Sequence, residues 1–241
     1  MKLKFSLFLV VLLFSSNTLA FKFSPMSASI GYKNKESSAL FYMENDSDQP
    51  IAVQVSVAKR EMDINGNETN TKIGNEIIIF PTQLIIPANE KRSVKVSWNG
   101  KDKIESELAY RLIAEQLPID LEKTKNKKAN IKVLLRYMAA LYVTDDDFSS
   151  DVKFNSVKRN ENKLSFELEN RGKKHQVLAN LHIKASIEKN KKEVELKPED
   201  LKGMTGENIL PQSKRIFTLP REGKLSEIDS NSKVKISFEK D

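Results

Sequence analysis

The chain has no cysteine among its 241 residues, and only two histidines and one tryptophan. Without cysteine it can form neither disulfide bonds nor thiolate metal sites, so its stability must come from ordinary hydrophobic cores. The histidines, His175 and His182, lack the carboxylate or cysteine neighbours that a metal site or an acid–base pair requires. Nucleophile-elbow and phosphate-binding loop patterns are also missing. The sequence therefore predicts a protein with no metal site, no cofactor and no enzymatic activity.

Long apolar runs are scarce, and the longest one stands at the start. Residues Met1–Ala20 contain Lys2 and Lys4, then the apolar run Phe5–Phe14, and end in the small residue Ala20. This order is typical of a secretory signal peptide, and its apolar centre is about half of the roughly 20 residues that a membrane span needs. We expect residues 1–20 to be cleaved, leaving an exported protein without a membrane span.

The charge is moderately basic, with a formal net value of +7. Basic residues cluster at Lys123–Lys128 and Lys189–Lys192, where solvated loops are the simplest interpretation. No aromatic-rich basic motif accompanies them, and an exported protein meets little nucleic acid, so nucleic-acid binding is not expected. A basic surface can still help to capture a negatively charged chain end or an acidic partner.

The first half of the mature chain alternates apolar and polar residues, as half-buried antiparallel strands do. Seven short strands over about 120 residues favour an immunoglobulin-like sandwich. The predicted strands are Ser27–Tyr32, Ala39–Glu44, Ile51–Glu61, Ile77–Phe80, Arg92–Trp98, Ala109–Leu117 and Ile131–Val143.

The second half repeats this pattern after a polar break at Thr144–Ser150. We predict an all-β protein with two immunoglobulin-like β-sandwich domains in tandem, over residues 21–146 and 147–241. The strands predicted in the second domain are Val152–Val157, Lys163–Glu169, Gln176–Ile187, Glu193–Leu196, Lys214–Leu219 and Lys233–Phe238.

The run Ile131–Val143 is unusually long and apolar. It carries only two charged residues, and Ile131, Val133, Leu135 and Tyr137 fall on one face by alternation. An apolar strand edge is normally an aggregation hazard, so its presence in an exported protein suggests a strand kept for lending to a partner. An ordinary core strand would have the same spacing.

Four blocks of this sequence resemble the periplasmic pilus and fimbrial assembly chaperones of the chaperone–usher family, and the third is most similar to its archaic branch. Their order and spacing carry the resemblance, since each block on its own has low specificity for the family. The blocks are FPTQLIIPANEKRSVKVSW at Phe80–Trp98, YRLIAEQLP at Tyr110–Pro118, VLLRYMAALYV at Val133–Val143 and NILPQSKRIFTLP at Asn208–Pro220.

The resemblance implies two immunoglobulin-like domains set at an angle, with a subunit site in the first domain and the cleft. It implies an ATP-independent periplasmic chaperone that binds pilus or fimbrial subunits by donor-strand complementation, a form of strand addition. Such a chaperone delivers its subunits to an outer-membrane usher. The expected plugs of the subunit's groove are Ile131, Val133 and Leu135, with Tyr137 as a weaker fourth.

Family members commonly hold the subunit's C-terminal carboxylate with an arginine on the first strand and a lysine near the end of the donor strand. This chain departs from that pattern, because Ser27–Ile30 contains no arginine and Ala140 takes the lysine's place. A buried carboxylate still needs a charged partner. We expect Arg111 and Arg136 to form the anchor, with Lys132 as a possible helper; solvated surface arginines are the alternative.

Two other classes of protein compete with the chaperone. An immunoglobulin-like surface or pilus structural subunit would carry an alternating N-terminal donor segment and lack its own last strand. Here Phe21–Pro25 is short and the first domain has a full set of predicted strands, which favours the chaperone. An enzyme or sugar-binding module would need a polar-aromatic site, yet Trp98 is the only tryptophan and stands at a strand end.

Overall fold

The structure is a computed structural model, and it describes residues 21–33, 38–101, 103–119, 133–188 and 191–238. These residues form two β-sandwich units, each around its own hydrophobic cluster. The described part of the chain has no helix long and apolar enough to cross a bilayer. The predicted signal peptide, as well as Ile131 and Lys132, lies outside the described residues.

The first unit has two facing sheets, ordered β1-β3-β8-β6 and β2-β10-β9-β4-β5, with β7 also paired to β4. The N-terminal segment contributes to both sheets, because the chain changes sheet between β1 and β2 at the cis Ser24–Pro25 bond. The strands are β1 (Phe21–Ser24), β2 (Ser27–Gly31), β3 (Ser38–Asn45), β4 (Ile51–Met62), β5 (Glu68–Lys72), β6 (Ile77–Phe80), β7 (Gln83–Ile86), β8 (Lys91–Trp98), β9 (Leu108–Gln116) and β10 (Arg136–Thr144).

The core of the first unit lies between the inner faces of these sheets. Its members come from alternate positions, since successive side chains of a strand point to opposite faces. Each fully buried aliphatic or aromatic side chain contributes about 1.5–3 kcal/mol. Strands β3, β8, β9 and β10 supply Phe41, Met43, Val94, Val96, Tyr110, Leu112, Ala114, Ala139, Leu141 and Val143.

The second unit is smaller and has sheets β11-β12-β17 and β15-β14-β18, with a short pair of β13 and β16. Two short 3-10 helices, Pro198–Asp200 and Gly223–Glu227, connect its strands. The strands are β11 (Val152–Arg159), β12 (Lys163–Asn170), β13 (Gln176–Val177), β14 (Leu181–Ile187), β15 (Lys192–Leu196), β16 (Asn208–Ile209), β17 (Ser213–Pro220) and β18 (Lys233–Phe238).

The all-β class is confirmed, and most predicted strands are present with ends shifted by a few residues. Two predictions need correction. The last strand of the first unit begins at Arg136 rather than Ile131. The segment Gln176–Ile187 is two strands, because β13 pairs with β16 whereas β14 pairs with β15 and β18. Four short strands were not predicted: β1, β5, β7 and β16. The polar sequence of β5, for example, has no apolar alternation because the strand stands exposed at a sheet edge.

The chain passes from one unit to the other between β10 and β11. Phe148 packs on the first core and stacks on Tyr32 at 6.3 Å between ring centroids, whereas Val152 packs on the second core. The change of core therefore lies after Phe148. The domain boundary predicted at residue 146 stays a prediction.

Candidate functional site

Strand β10 has a free edge over its first four residues. It pairs with β9 from Arg136 to Val143, but with β2 only from Ala140 to Thr144. The segment that could cover the rest of this edge has crossed to the other sheet as β1. From Arg136 to Ala139, no strand of the described residues pairs with the β10 edge that faces away from β9.

The backbone groups of two residues point outward from this edge. The Leu135 carbonyl accepts a bond from the Gln116 amide on β9 (2.9 Å), while the Ala140 amide donates in the opposite direction, to the Met26 carbonyl (2.9 Å). Because backbone groups alternate in direction along a strand, those of Arg136 and Met138 face the free edge. An added strand would find its hydrogen-bonding partners there.

The predicted plug residues differ in how freely they project. Val133 has 74% of its surface exposed, while Leu135 is partly buried against the first core. Tyr137 is held more firmly, because its hydroxyl donates to the Phe21 carbonyl (2.6 Å) and its ring meets the Phe21 ring edge-on at 4.9 Å. The structure thus leaves the Val133 side chain exposed, whereas the Tyr137 side chain packs against the first unit.

The two predicted anchor arginines lie apart. Arg111 pairs across the strands with Ala140, whereas Arg136 pairs with Glu115. Four residues along β10 separate these positions, which corresponds to about 13 Å. Arg111 donates through Nε and Nη2 to the two carboxylate oxygens of Glu68, at 2.9 and 2.5 Å, while Arg136 is exposed to solvent.

Arg60 of β4 joins Arg111 and was not predicted. Its side chain is 5% exposed, and its Nη2 lies 2.5 Å from Glu68 Oε1. Its Nη1 donates to the Tyr142 hydroxyl (3.1 Å). A signal was present in the sequence: Val53 and Val55 face the core, so by parity Arg60 belongs on the opposite face, as Arg111 does on β9.

The cluster of Arg60, Arg111 and Glu68 has one positive charge in excess. Burial raises the pKa of Glu68, but the hydrogen bond from Arg111 and the charges of both arginines outweigh it, so the pKa lies below its ordinary value. Arg60 Nε is buried and finds no partner among the described residues. Two neighbouring guanidinium groups with an excess positive charge suit a carboxylate ligand.

The second unit closes this cluster from the other side. Asn208 donates through Nδ2 to the Tyr142 hydroxyl (2.7 Å), and Leu210 packs against Ala109, Ala140 and Tyr142. The cluster therefore lies where the two units meet. His175, set aside in the sequence, stacks its ring on Tyr142 with centroids 3.8 Å apart. Its position depends on the contact between units, which local sequence does not show.

The first unit of the chain matches a known protein family. The model of pili and flagellar-assembly chaperones, PapD N-terminal domain, matches residues 22–144. The chain belongs to this family. It is a family of chaperones and not of enzymes, and the matched region of this assembly chaperone contains both the free edge of β10 and the arginine cluster.

Solved structures show the same fold over most of this chaperone. A CsuC–CsuE chaperone–tip subunit complex from the archaic Csu pili of Acinetobacter baumannii matches at 17% identity, with a TM-score of 0.54, over 82% of this chain and 89% of that chain. The E. coli chaperone DraB matches at 15% identity, with a TM-score of 0.56, over 85% of this chain and 86% of that chain. A SafA pilin–SafB chaperone complex of Salmonella enterica matches at 14% identity, with a TM-score of 0.58, over 86% of each chain. No curated protein sequence matches the chain.

Proposed function

We propose that this assembly chaperone binds pilus or fimbrial subunits by donor-strand complementation. The free edge of β10 carries the proposal, because an incomplete subunit sandwich can extend its sheet onto the backbone of Arg136 and Met138. The chaperone's own sandwich is not incomplete, since β10 fills the place between β9 and β2. This favours the chaperone over a structural subunit.

The side chains preceding the edge supply the apolar contacts. Burial of an exposed aliphatic side chain such as Val133 contributes about 1.5–3 kcal/mol, from which the cost of ordering the segment is subtracted. Ile131 and Leu135 complete the proposed set of plugs. Tyr137 has the lesser role of fixing the start of the donor strand, because it is already bonded to Phe21.

The subunit's C-terminal carboxylate is proposed to bind at Arg111, now together with Arg60. Both arginines belong to the face of the first unit that meets the second unit, and both direct donors toward one carboxylate position. Arg136 lies on the same face farther along β10, where it can contact the subunit separately. Lys132 keeps its proposed role as a helper.

The setting follows from the sequence and from the similar structures. The Csu and Saf structures are complexes of a chaperone with a tip subunit and with a pilin, respectively. We place this chaperone in the periplasm after removal of residues 1–20, with an outer-membrane usher as its second partner. Release needs no ATP in this scheme, because another subunit's strand replaces β10.

A pair of matched valine variants tests strand donation. Val133→Asp places a charge in the subunit's groove, whereas Val177→Asp changes an exposed valine of the second unit. Each variant is expressed in the periplasm together with candidate pilus subunits, and the bound proteins are identified by mass spectrometry. We expect Val133→Asp to lower subunit recovery about tenfold or more, Leu135→Asp to act likewise, and Val177→Asp to match wild type. Equal recovery by all variants would place the contact elsewhere.

A further inference from the structure

We propose that, in the free chaperone, Glu68 occupies the binding site for the carboxylate that ends a subunit chain. Subunit capture then exchanges one carboxylate for the other at Arg60 and Arg111. The inference rests on the proposed subunit binding and adds to it an internal competitor. Its basis is that a carboxylate of the chaperone itself already makes the contacts that a chain terminus would make.

The geometry at Arg111 favours exchange over addition. A guanidinium binds a carboxylate most strongly through two parallel donors. The Nε and Nη2 donors of Arg111 are both used by Glu68, and Arg60 Nη2 contacts the same Oε1 atom. A second carboxylate can obtain this contact with Nε and Nη2 of Arg111, shared with Arg60 Nη2, only after Glu68 has left.

Glu68 stands where it can leave without disturbing a core. It is the first residue of β5, which pairs with β4 alone at the end of its sheet, and the strand is mostly exposed. The Glu68 side chain is itself 23% exposed. Rotation of its carboxylate into solvent would break its contacts with the two arginines, and Glu68 belongs to none of the hydrophobic clusters.

The charges explain why such a competitor is useful. Two arginines at a largely buried position would be costly without a negative partner, and Glu68 supplies one while no subunit is bound. Exchange keeps the number of ion pairs constant. The affinity for a subunit terminus therefore reflects the difference between the free energies with which the two carboxylates bind the arginines. Tyr142 links the site to the second unit, because its hydroxyl contacts Arg60 and Asn208.

A carboxylate probe and a matched pair of glutamate variants test the exchange. The probes are acetyl-Ala-Val-Tyr with a free C-terminal carboxylate and the same peptide with a C-terminal amide, titrated into the mature protein by NMR. Glu68→Ala removes the competitor, while Glu61→Ala removes an exposed glutamate of β4. We expect Glu68→Ala to bind the carboxylate probe about tenfold more tightly than wild type does, and Glu61→Ala to bind it as wild type does. The amide probe should bind Glu68→Ala no more tightly than it binds wild type. Equal affinities of wild type and Glu68→Ala would overturn the proposal.

A second measurement uses the wild-type protein, so the proposal does not depend on the folding of a variant. The Glu68 side-chain carboxyl carbon and the Arg111 Nε–H are followed as the carboxylate probe is added. Exchange predicts that both resonances shift in proportion to the same fraction of probe-bound protein. A response of Arg111 without Glu68, or of neither, would refute exchange. Neither result would bear on strand donation, which the recovery of subunits by Val133→Asp tests separately.

Discussion

At the scale of single residues, the main feature is that a few charged side chains are buried only because they have partners. Arg60 is 5% exposed, and Glu68 and Tyr142 satisfy two of its nitrogens. A buried charge that loses its partner destabilises a protein by several kcal/mol. Glu68 therefore has two roles in our account: it stabilises the free chaperone and it competes with the subunit.

The lowered pKa of Glu68 predicts a pH dependence of stability. A carboxyl group whose pKa is depressed by folding stabilises the protein above its unfolded pKa, about 4.3, and loses that contribution as the pH falls through the folded value. We expect Glu68→Gln to have a lower free energy of unfolding than wild type near pH 7. The difference should shrink as the pH is lowered below about 4.3.

Urea unfolding followed by circular dichroism at several pH values measures this difference. Glu61→Gln serves as the matched control, since its carboxylate is exposed and lies on the same strand as Arg60. A difference between wild type and Glu68→Gln that stayed constant from pH 7 to the acid limit would show that the arginines do not act on the Glu68 charge.

At the scale of secondary structure, the proposed function gives one strand two roles, in the chaperone's own sheet and in the sheet of its partner. The second half of β10 is enclosed between β9 and β2, while among the described residues its first half has a strand partner on one side only. The enclosed half anchors the strand through buried residues such as Leu141 and Val143. The free half is thereby held straight and in register for an added strand.

Removal of one outward-pointing amide should weaken subunit binding. Arg136→Pro deletes an N–H on the free edge, and proline is tolerated at strand edges. Arg136→Ala removes the same side chain but keeps the N–H, so it controls for the loss of charge. We expect Arg136→Pro to bind subunits about 2–10 times more weakly than Arg136→Ala, measured by the yield of purified complex, since a net hydrogen bond contributes about 0.5–1.5 kcal/mol. Equal yields would mean that no subunit strand pairs at residue 136.

At the scale of the whole molecule, the two units are joined by polar contacts around a small apolar cluster. Glu107 is fully buried at its side chain, and its Oε1 accepts the His175 amide (3.0 Å) and contacts the His175 ring Nδ1 (2.5 Å). The Glu107 amide in turn donates to the Lys173 carbonyl (2.9 Å). These contacts fix the position of His175 against Tyr142, and so connect the carboxylate site with the arrangement of the units.

Loss of the Glu107 carboxylate should weaken this junction. We expect Glu107→Ala to lower the free energy of unfolding by about 1–3 kcal/mol, because it leaves the partly buried His175 amide and ring Nδ1 without their partner. Glu105→Ala, at an exposed position two residues away, should change it by no more than about 0.5 kcal/mol. Chemical unfolding of both variants measures the difference, and equal stabilities would show that Glu107 does not hold the units together.

Several features of the fold could be predicted because they depend on local pattern. Leu164, Phe166 and Leu168 alternate in the sequence, and all three are fully buried on one face of β12. Strands without such a pattern were missed: β5 is polar because it stands at an exposed edge, and β7 is only four residues long. Pattern reveals a strand only where one of its faces is buried.

The candidate site was only partly predictable. The donor run and Arg111 were proposed from the sequence, and they stay predictions. Arg111 was grouped with Arg136 because both are strand-borne arginines close to the proposed donor strand in the sequence. The structure groups it with Arg60 and Glu68. These three residues come from three different strands, and neighbours across a sheet depend on strand order, which alternation within a strand does not specify.

The sequence by itself determined the all-β class, the inward face of most strands and the family, because each follows from local alternation and from the motifs of single strands. Only the tertiary structure decided which edge of the sheet stays open and which charges converge beside it. The edge of β10 is free because the N-terminal segment changes sheet at Pro25. Arg60, Glu68 and Arg111 meet because packing of β4 between β5 and β9 brings distant positions onto one face.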